Sequence, residues 1–172
     1  SGEIRARYDK IHLFDVQLSR DEGYRESATI EPGSEPVVAE TPFGPVGLAV
    51  CYDLRFPELF RLLADRGAEW IAAPSAFTRT TGAAHWEVLV RARAIEEQVA
   101  VVAPNQGGTH PGERQTYGHT LVADPWGTVL DRVERGEGVA LGALDRDRLA
   151  AVRRQLPARS HRRLADPWCP DG

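Results

Sequence analysis

The sequence predicts an α/β fold. Two nearly all-apolar runs, Val46 to Val50 and Val99 to Ala103, read as strands buried on both faces. Apolar residues recur at helical spacing over Pro57 to Arg66 and Ala83 to Gln98, and strand-like and helix-like segments alternate along the chain.

In chain order, Glu3 to Tyr8 alternates, with Ile4, Ala6 and Tyr8 on one side, and predicts a strand that delivers Lys10 to its end. Ile11 to Pro36 holds no period and reads as a long loop, of a length that usually carries function. Val37 to Ala39 and Val46 to Val50 predict two strands around Thr41-Pro42-Phe43-Gly44. Pro57 suits a first helical position and Gly67 a stop, so the helix between them follows the buried strand closely. Ile71 to Ala73 is a short strand closed by Pro74, and a Gly-rich loop runs from Asn105 to Gly118. Thr120 to Ala123 and Thr128 to Arg132 flank the turn signature Asp124-Pro125-Trp126-Gly127. Val139 to Leu144 predicts a further strand, Asp147 to Leu156 a last helix, and Pro157 to Gly172 an extended tail.

A length of 172 residues is enough for one domain with a proper core. The apolar fraction of 42 % and charged fraction of 27 % suggest neither disorder nor a membrane class. No apolar run approaches the roughly 20 residues needed to span a bilayer, and Ser1 to Arg5 lacks the apolar core of a signal peptide, so the chain reads as cytosolic with no membrane partner. A net charge of −4 with scattered arginines offers no basic stripe for nucleic acid. Cys51 and Cys169 read as reduced thiols. The absence of Met and the start at Ser1 suit a fragment or a processed chain. Lys10 is the only lysine among the 21 Lys and Arg residues, which suggests a place that needs a compact amine rather than a planar fork.

Gly47 to Glu58 is a buried strand, a thiol, a tight turn and a helix start. That arrangement presents Cys51 at the carboxyl end of a sheet near a helix N-terminus, which can lower a thiol's pKa. A small apolar core residue is the competing account of a lone buried cysteine. A zinc site is set aside because no second cysteine lies at ligand spacing. The Cys-x-x-x-Arg spacing is likewise too short for a phosphatase loop.

These residues resemble the nitrilase superfamily of carbon-nitrogen hydrolases. Tyr8-Asp9-Lys10-Ile11-His12-Leu13-Phe14 looks like its lysine motif and Gly47 to Glu58 like its cysteine motif. Pro74 to Thr78, Thr81 to Glu87, and Tyr117-Gly118-His119 through Asp124-Pro125-Trp126-Gly127 match in the family's order. The resemblance implies an αββα sandwich lacking its first βα units, with residues 1–172 as the C-terminal two-thirds of the domain. It implies Cys51 as nucleophile, Lys10 beside it, Glu26 as the glutamate between them, and the backbone N–H of Tyr52 as an oxyanion donor. Cys51-Tyr52-Asp53 favours an amide over a nitrile, and the pattern is closest to the branch of omega-amidases and deaminated-glutathione amidases. Their substrates carry a carboxylate, for which Arg55 is a candidate clamp, with an ion pair to Asp53 or Glu58 as the alternative. Phe77, Thr78 and Thr81 line the pocket by the same resemblance, while His85, His119 and Trp126 read as structural.

The resemblance implies no metal, no cofactor, a small amide as substrate and a homo-oligomer. The family's other catalytic glutamate, the general base, matches no position here. The missing part then lies outside this stretch, comes as a separate chain, or is dispensable to a non-catalytic binding or assembly subunit. A chain of the same fold acting on an N-carbamoyl compound, transferring an acyl group or cleaving a nitrile is a further alternative.

Overall fold

A computed structural model describes residues 2–164; Cys169 and the end of the expected extended tail lie outside them. A first hairpin pairs β1 (Asp15–Gln17) with β2 (Gly23–Arg25), and a single 3-10 turn, Glu26–Ala28, follows. The main sheet holds β3 (Val38–Thr41), β4 (Gly44–Leu48), β5 (Trp70–Ala72), β6 (Ala100–Ala103), β9 (Thr120–Ala123) and β10 (Val129–Val133). A second small hairpin is β7 (Gly107–Thr109) with β8 (Gln115–Tyr117). The helices are α1 (Pro57–Asp65), α2 (Arg79–Glu97) and α3 (Arg146–Gln155).

The sheet order is β10-β9-β6-β5-β4-β3, with β4, β5 and β6 parallel and their neighbours antiparallel. In the parallel part Leu48 lies opposite Ala72 and Ala72 opposite Val102, so three strands end side by side. Backbone hydrogen bonds carry the alignment past the ladder, from Cys51 N to Pro74 O at 3.0 Å and from Ser75 N to Pro104 O at 2.9 Å. Ligands of open α/β sheets bind outside such carboxyl ends.

Helix α1 begins with Pro57 at its first turn and buries Leu59, Phe60, Leu63 and Ala64 on one stripe. Helix α2 starts a turn before the sequence boundary because Thr78 caps it, its side chain accepting from Thr81 N. It ends where Gln98 turns left-handed at φ 52°. Its Trp86, Val90 and Ala94 join Ile71, Val101, Leu121 and Phe60 in one core on one side of the sheet. The opposite face carries Trp70, Ala100, Val102 and Val122 along a second cavity of about 350 Å³. No helix among the described residues is long and apolar enough to cross a membrane.

Five expectations need correction. Glu3 to Tyr8 is not a strand: Ala6, Tyr8 and Lys10 do alternate inward, but the segment has no ladder partner among the described residues and Ile4 is 86 % exposed. Val139 to Leu144 is irregular backbone with Val139 and Leu141 facing solvent, and Leu141 N donates to the Asp131 side chain rather than to a strand. The two expected loops each contain a hairpin, because three-residue pairs need little apolar pattern when a turn closes them. The expected tail coils into a 3-10 turn at Ala158–His161, where Arg159 and Arg162 both reach Asp65.

Candidate active site

Cys51 stands where β4 has ended and a 3-10 turn, Cys51–Arg55, begins. Its φ is +50°, a left-handed conformation that a residue with a side chain adopts rarely. The carbonyl of Pro74 holds its N–H, and the side chain projects into a cavity of about 810 Å³ at the carboxyl ends of β4, β5 and β6. Every residue singled out from the sequence lines this cavity: Cys51, Lys10, Glu26, Tyr52, Arg55, Phe77, Thr78 and Thr81.

Lys10 is nearly buried and its ammonium donates to Glu26. The same carboxylate oxygen accepts the Phe14 N–H at 2.7 Å, so the chain from Lys10 to Phe14 curls around Glu26. Burial pushes the Cys51 thiol above its ordinary pKa; the N–H of Ala76 and the charges of Lys10 and Arg114 pull it back only in part. The expected lowering by a helix N-terminus is not what prevails. The cysteine opens a five-residue 3-10 turn rather than α1 itself, and few peptide dipoles are aligned on it.

Arg55 does not pair with Asp53. That fully buried carboxylate accepts instead from Tyr8, His12 and the N–H of Val50. The Arg55 guanidinium lies over the rings of Phe77, at 5.4 Å, and Tyr52, at 5.8 Å, with His85 Nδ1 at 3.3 Å. Phe77 serves core and cavity together, packing edge-on against Trp86. The hydroxyls of Thr78 and Thr81 meet at 2.9 Å in the cap of α2. His119 stacks on Tyr117, and its carbonyl accepts from Trp86 Nε1 at 2.6 Å, a structural role.

Residues 1–154 match the family described as Carbon-nitrogen hydrolase. The chain belongs to the carbon-nitrogen hydrolase family. It is 46 % identical over 170 residues to a deaminated glutathione amidase of Yersinia enterocolitica, covering 98 % of this chain and 59 % of that protein. Among solved structures it resembles the NitFhit protein of C. elegans with a TM-score of 0.85 and 45 % identity over 92 % of this chain and 39 % of that one. It also resembles Saccharomyces cerevisiae Nit3, a member of branch 10 of the nitrilase superfamily, with a TM-score of 0.83 and 34 % identity over 95 % and 56 %. The chain thus spans 59 % or less of the length of these three relatives.

The hydrolase cavity contains residues that the sequence did not single out. Asn105, at the end of β6, accepts from Phe77 N at 3.0 Å and donates to Gly118 O at 2.6 Å, stitching the cavity floor. Its signal was its place just after a buried strand, as with Cys51. Arg114, in the β7–β8 connection, donates to Ala76 O at 3.2 Å and lies over Tyr24 at 5.6 Å. Nothing in the sequence distinguishes it from nineteen other arginines. Lys10, Arg25, Arg55 and Arg114 surround a single lining carboxylate, Glu26, so the cavity is cationic. Among the described residues no three His, Cys, Asp or Glu side chains are grouped as a metal site requires.

Proposed function

We propose that this carbon-nitrogen hydrolase chain cleaves the amide bond of small carboxylate-bearing amides, with Cys51 as nucleophile. The observation that carries the reading is the left-handed Cys51, set in one cavity with the Lys10–Glu26 pair and with Arg55. The thiolate attacks the amide carbon, and the oxygen that gains negative charge is met by the Lys10 ammonium and the N–H of Tyr52. The tetrahedral species collapses with the nitrogen leaving as ammonia once it has taken the proton that the Cys51 thiol gave up, and a Cys51 thioester remains. Water then releases the acid and restores the thiol. Glu26 orients Lys10, and the excess of cationic side chains suits a substrate with a free carboxylate. The relatives named deaminated glutathione amidase support the amide class. As in the resemblance, the chain acts as a homo-oligomer, which light scattering on the purified protein tests.

The deciding experiment is ammonia release from a panel of short carboxylate-bearing amides, with Cys51→Ala as control. Release that disappears in the variant supports the amidase; release that survives in the variant removes Cys51 from the mechanism.

A second reading, a binding subunit without turnover, is favoured by one observation. Among the described residues Glu26 is the only carboxylate lining the cavity, and it is engaged by Lys10 and Phe14 rather than left to act as general base. Calorimetric binding of the same amides with no ammonia released is its expected signature.

A further inference from the structure

We propose that Asp53 is a positioning residue for the amidase reaction: one buried carboxylate clasps the chain on both sides of Lys10 to the turn that carries Cys51. The inference rests on the reading above, in which Lys10 acts beside the thiol.

The segment that carries Lys10 has no strand partner among the described residues, so no ladder fixes it there, and its one backbone bond at the lysine, from Gly33 N–H to Lys10 O at 2.8 Å, does not reach the cysteine turn. Side chains do. Tyr8 and Lys10 point inward in alternation, and the chain then bends at Ile11 and His12. The Tyr8 hydroxyl donates to Asp53 Oδ2 at 2.8 Å and accepts the Ile11 N–H at 3.2 Å. On the other side of the lysine, the His12 N–H donates to Asp53 Oδ1 at 3.1 Å, and His12 Nδ1 meets the same oxygen at 2.7 Å. The imidazole is held flat against Phe56, with ring centroids 3.7 Å apart and planes 5° from parallel.

The same carboxylate reaches the nucleophile. Asp53 Oδ2 accepts the N–H of Val50, the residue before Cys51, at 2.8 Å. It thereby ties down the turn that puts Cys51 at φ +50°. A carboxylate with no solvent exposure is tolerated only when its oxygens are filled, and each of the donors here belongs either to the lysine segment or to the cysteine turn. Loosening any of them lets the two reacting elements move apart, and small displacements of catalytic groups reduce rate steeply.

The test reads the Lys10–Cys51 relationship without needing turnover. In this 172-residue chain carrying Cys169→Ala, so that one thiol reports, alkylation of Cys51 by iodoacetamide is followed against pH for Lys10→Gln, Tyr8→Phe, His12→Phe and the double Tyr8→Phe/Lys10→Gln. Circular dichroism melts confirm that each variant is folded; Tyr8→Phe keeps the ring and removes one hydrogen bond. Losing the ammonium lowers the thiolate population, so Lys10→Gln slows alkylation at pH 8 by about threefold or more. Tyr8→Phe and His12→Phe reproduce most of that slowing, and the double variant is no slower than Lys10→Gln alone. If Lys10→Gln slows the thiol while Tyr8→Phe and His12→Phe leave it unchanged, the clasp is overturned and the amidase reading stands. If Tyr8→Phe slows it equally in the Lys10→Gln background, the effect does not pass through the lysine and the clasp is also overturned. If Lys10→Gln leaves the thiol unchanged, the proximity of lysine and thiol fails, and both go with it.

Discussion

The Lys10 ammonium and the Glu26 carboxylate are in direct contact, and the Glu26 oxygen that receives the lysine also receives the backbone N–H of Phe14. One carboxylate therefore holds the position of a cation and the course of the chain around it. The two tasks separate by substitution.

Glu26→Gln keeps an oxygen for Phe14 but removes the charge that fixes Lys10. It is expected to lower kcat by about a hundredfold, as when one oxyanion donor is displaced, with an almost unchanged melting temperature. Glu26→Ala also leaves the Phe14 N–H without its acceptor and is expected to lose a further 1 kcal/mol or so of stability in urea denaturation. Equal stability of the two variants would show that the Phe14 bond contributes nothing.

Arg55 is the cation that stands over Phe77 and Tyr52 in the cavity. A charge-assisted hydrogen bond to a carboxylate is worth about 1.5 to 3 kcal/mol, so Arg55→Gln in a Cys51→Ala background is expected to weaken binding of a carboxylate-bearing amide by about tenfold to a hundredfold. The corresponding methyl ester should bind both proteins alike. Calorimetry checks both, and an equal loss for the ester would assign Arg55 to packing instead.

Burial holds the Cys51 thiol above its ordinary pKa in the folded protein, against the pull of Ala76 N–H, Lys10 and Arg114. A group whose folded pKa is raised contributes stability that is fully present below the unfolded thiol's value of about 8.5, and loses it as the pH rises through the folded value. Urea midpoints measured from pH 7 to 10 should therefore fall more steeply for the natural chain than for Cys51→Ser. Parallel curves would mean that the thiol is not desolvated.

How much of this was legible in the sequence depended on whether a residue's neighbours were local. The strand before Cys51 and the helix from Pro57 follow from a continuous apolar run and a proline at the first turn; the helix starts as read, while the strand, expected over Val46 to Val50, ends at Leu48 and leaves Cys51 to a 3-10 turn. Glu26 lies sixteen positions from Lys10, in a segment without period, and only the family resemblance picked it out. Glu3 to Tyr8 alternates correctly, yet a strand exists only where another strand pairs with it, and that information is not in the segment. Val139 to Leu144 is apolar by composition, but the Asp131 side chain takes one of its backbone groups and it stays outside the sheet. Arg114 became visible only when the β7–β8 hairpin folded over the cavity.

That hairpin is seated on α2, where Arg79 donates to Gln115 at 2.9 Å and Gly82 lies under Tyr117, and the second of these yields the last prediction. Gly82 lies in the first turns of α2 directly beneath Tyr117 of β8, and a Cβ at position 82 would fall inside contact distance of the Tyr117 side chain at its own Cβ and ring. Helix propensity alone favours Gly82→Ala, by up to about 1 kcal/mol. The clash opposes it: the Tyr117 Cβ is fixed to backbone, that backbone is tied to Phe77 O at 3.0 Å, and overpacking of this kind costs about 1 to 3 kcal/mol. Steric cost should win, so Gly82→Ala is expected to lower the urea midpoint despite being a better helix former. Because β8 leads back to Arg114, the displaced hairpin should also weaken binding of carboxylate-bearing amides, while Gly67→Ala, which strains the backbone at φ +96° but whose Cβ touches nothing, leaves binding as it was. A stabilised Gly82→Ala protein with unchanged binding would show that the hairpin yields freely, and that its seat on α2 does not shape the cavity.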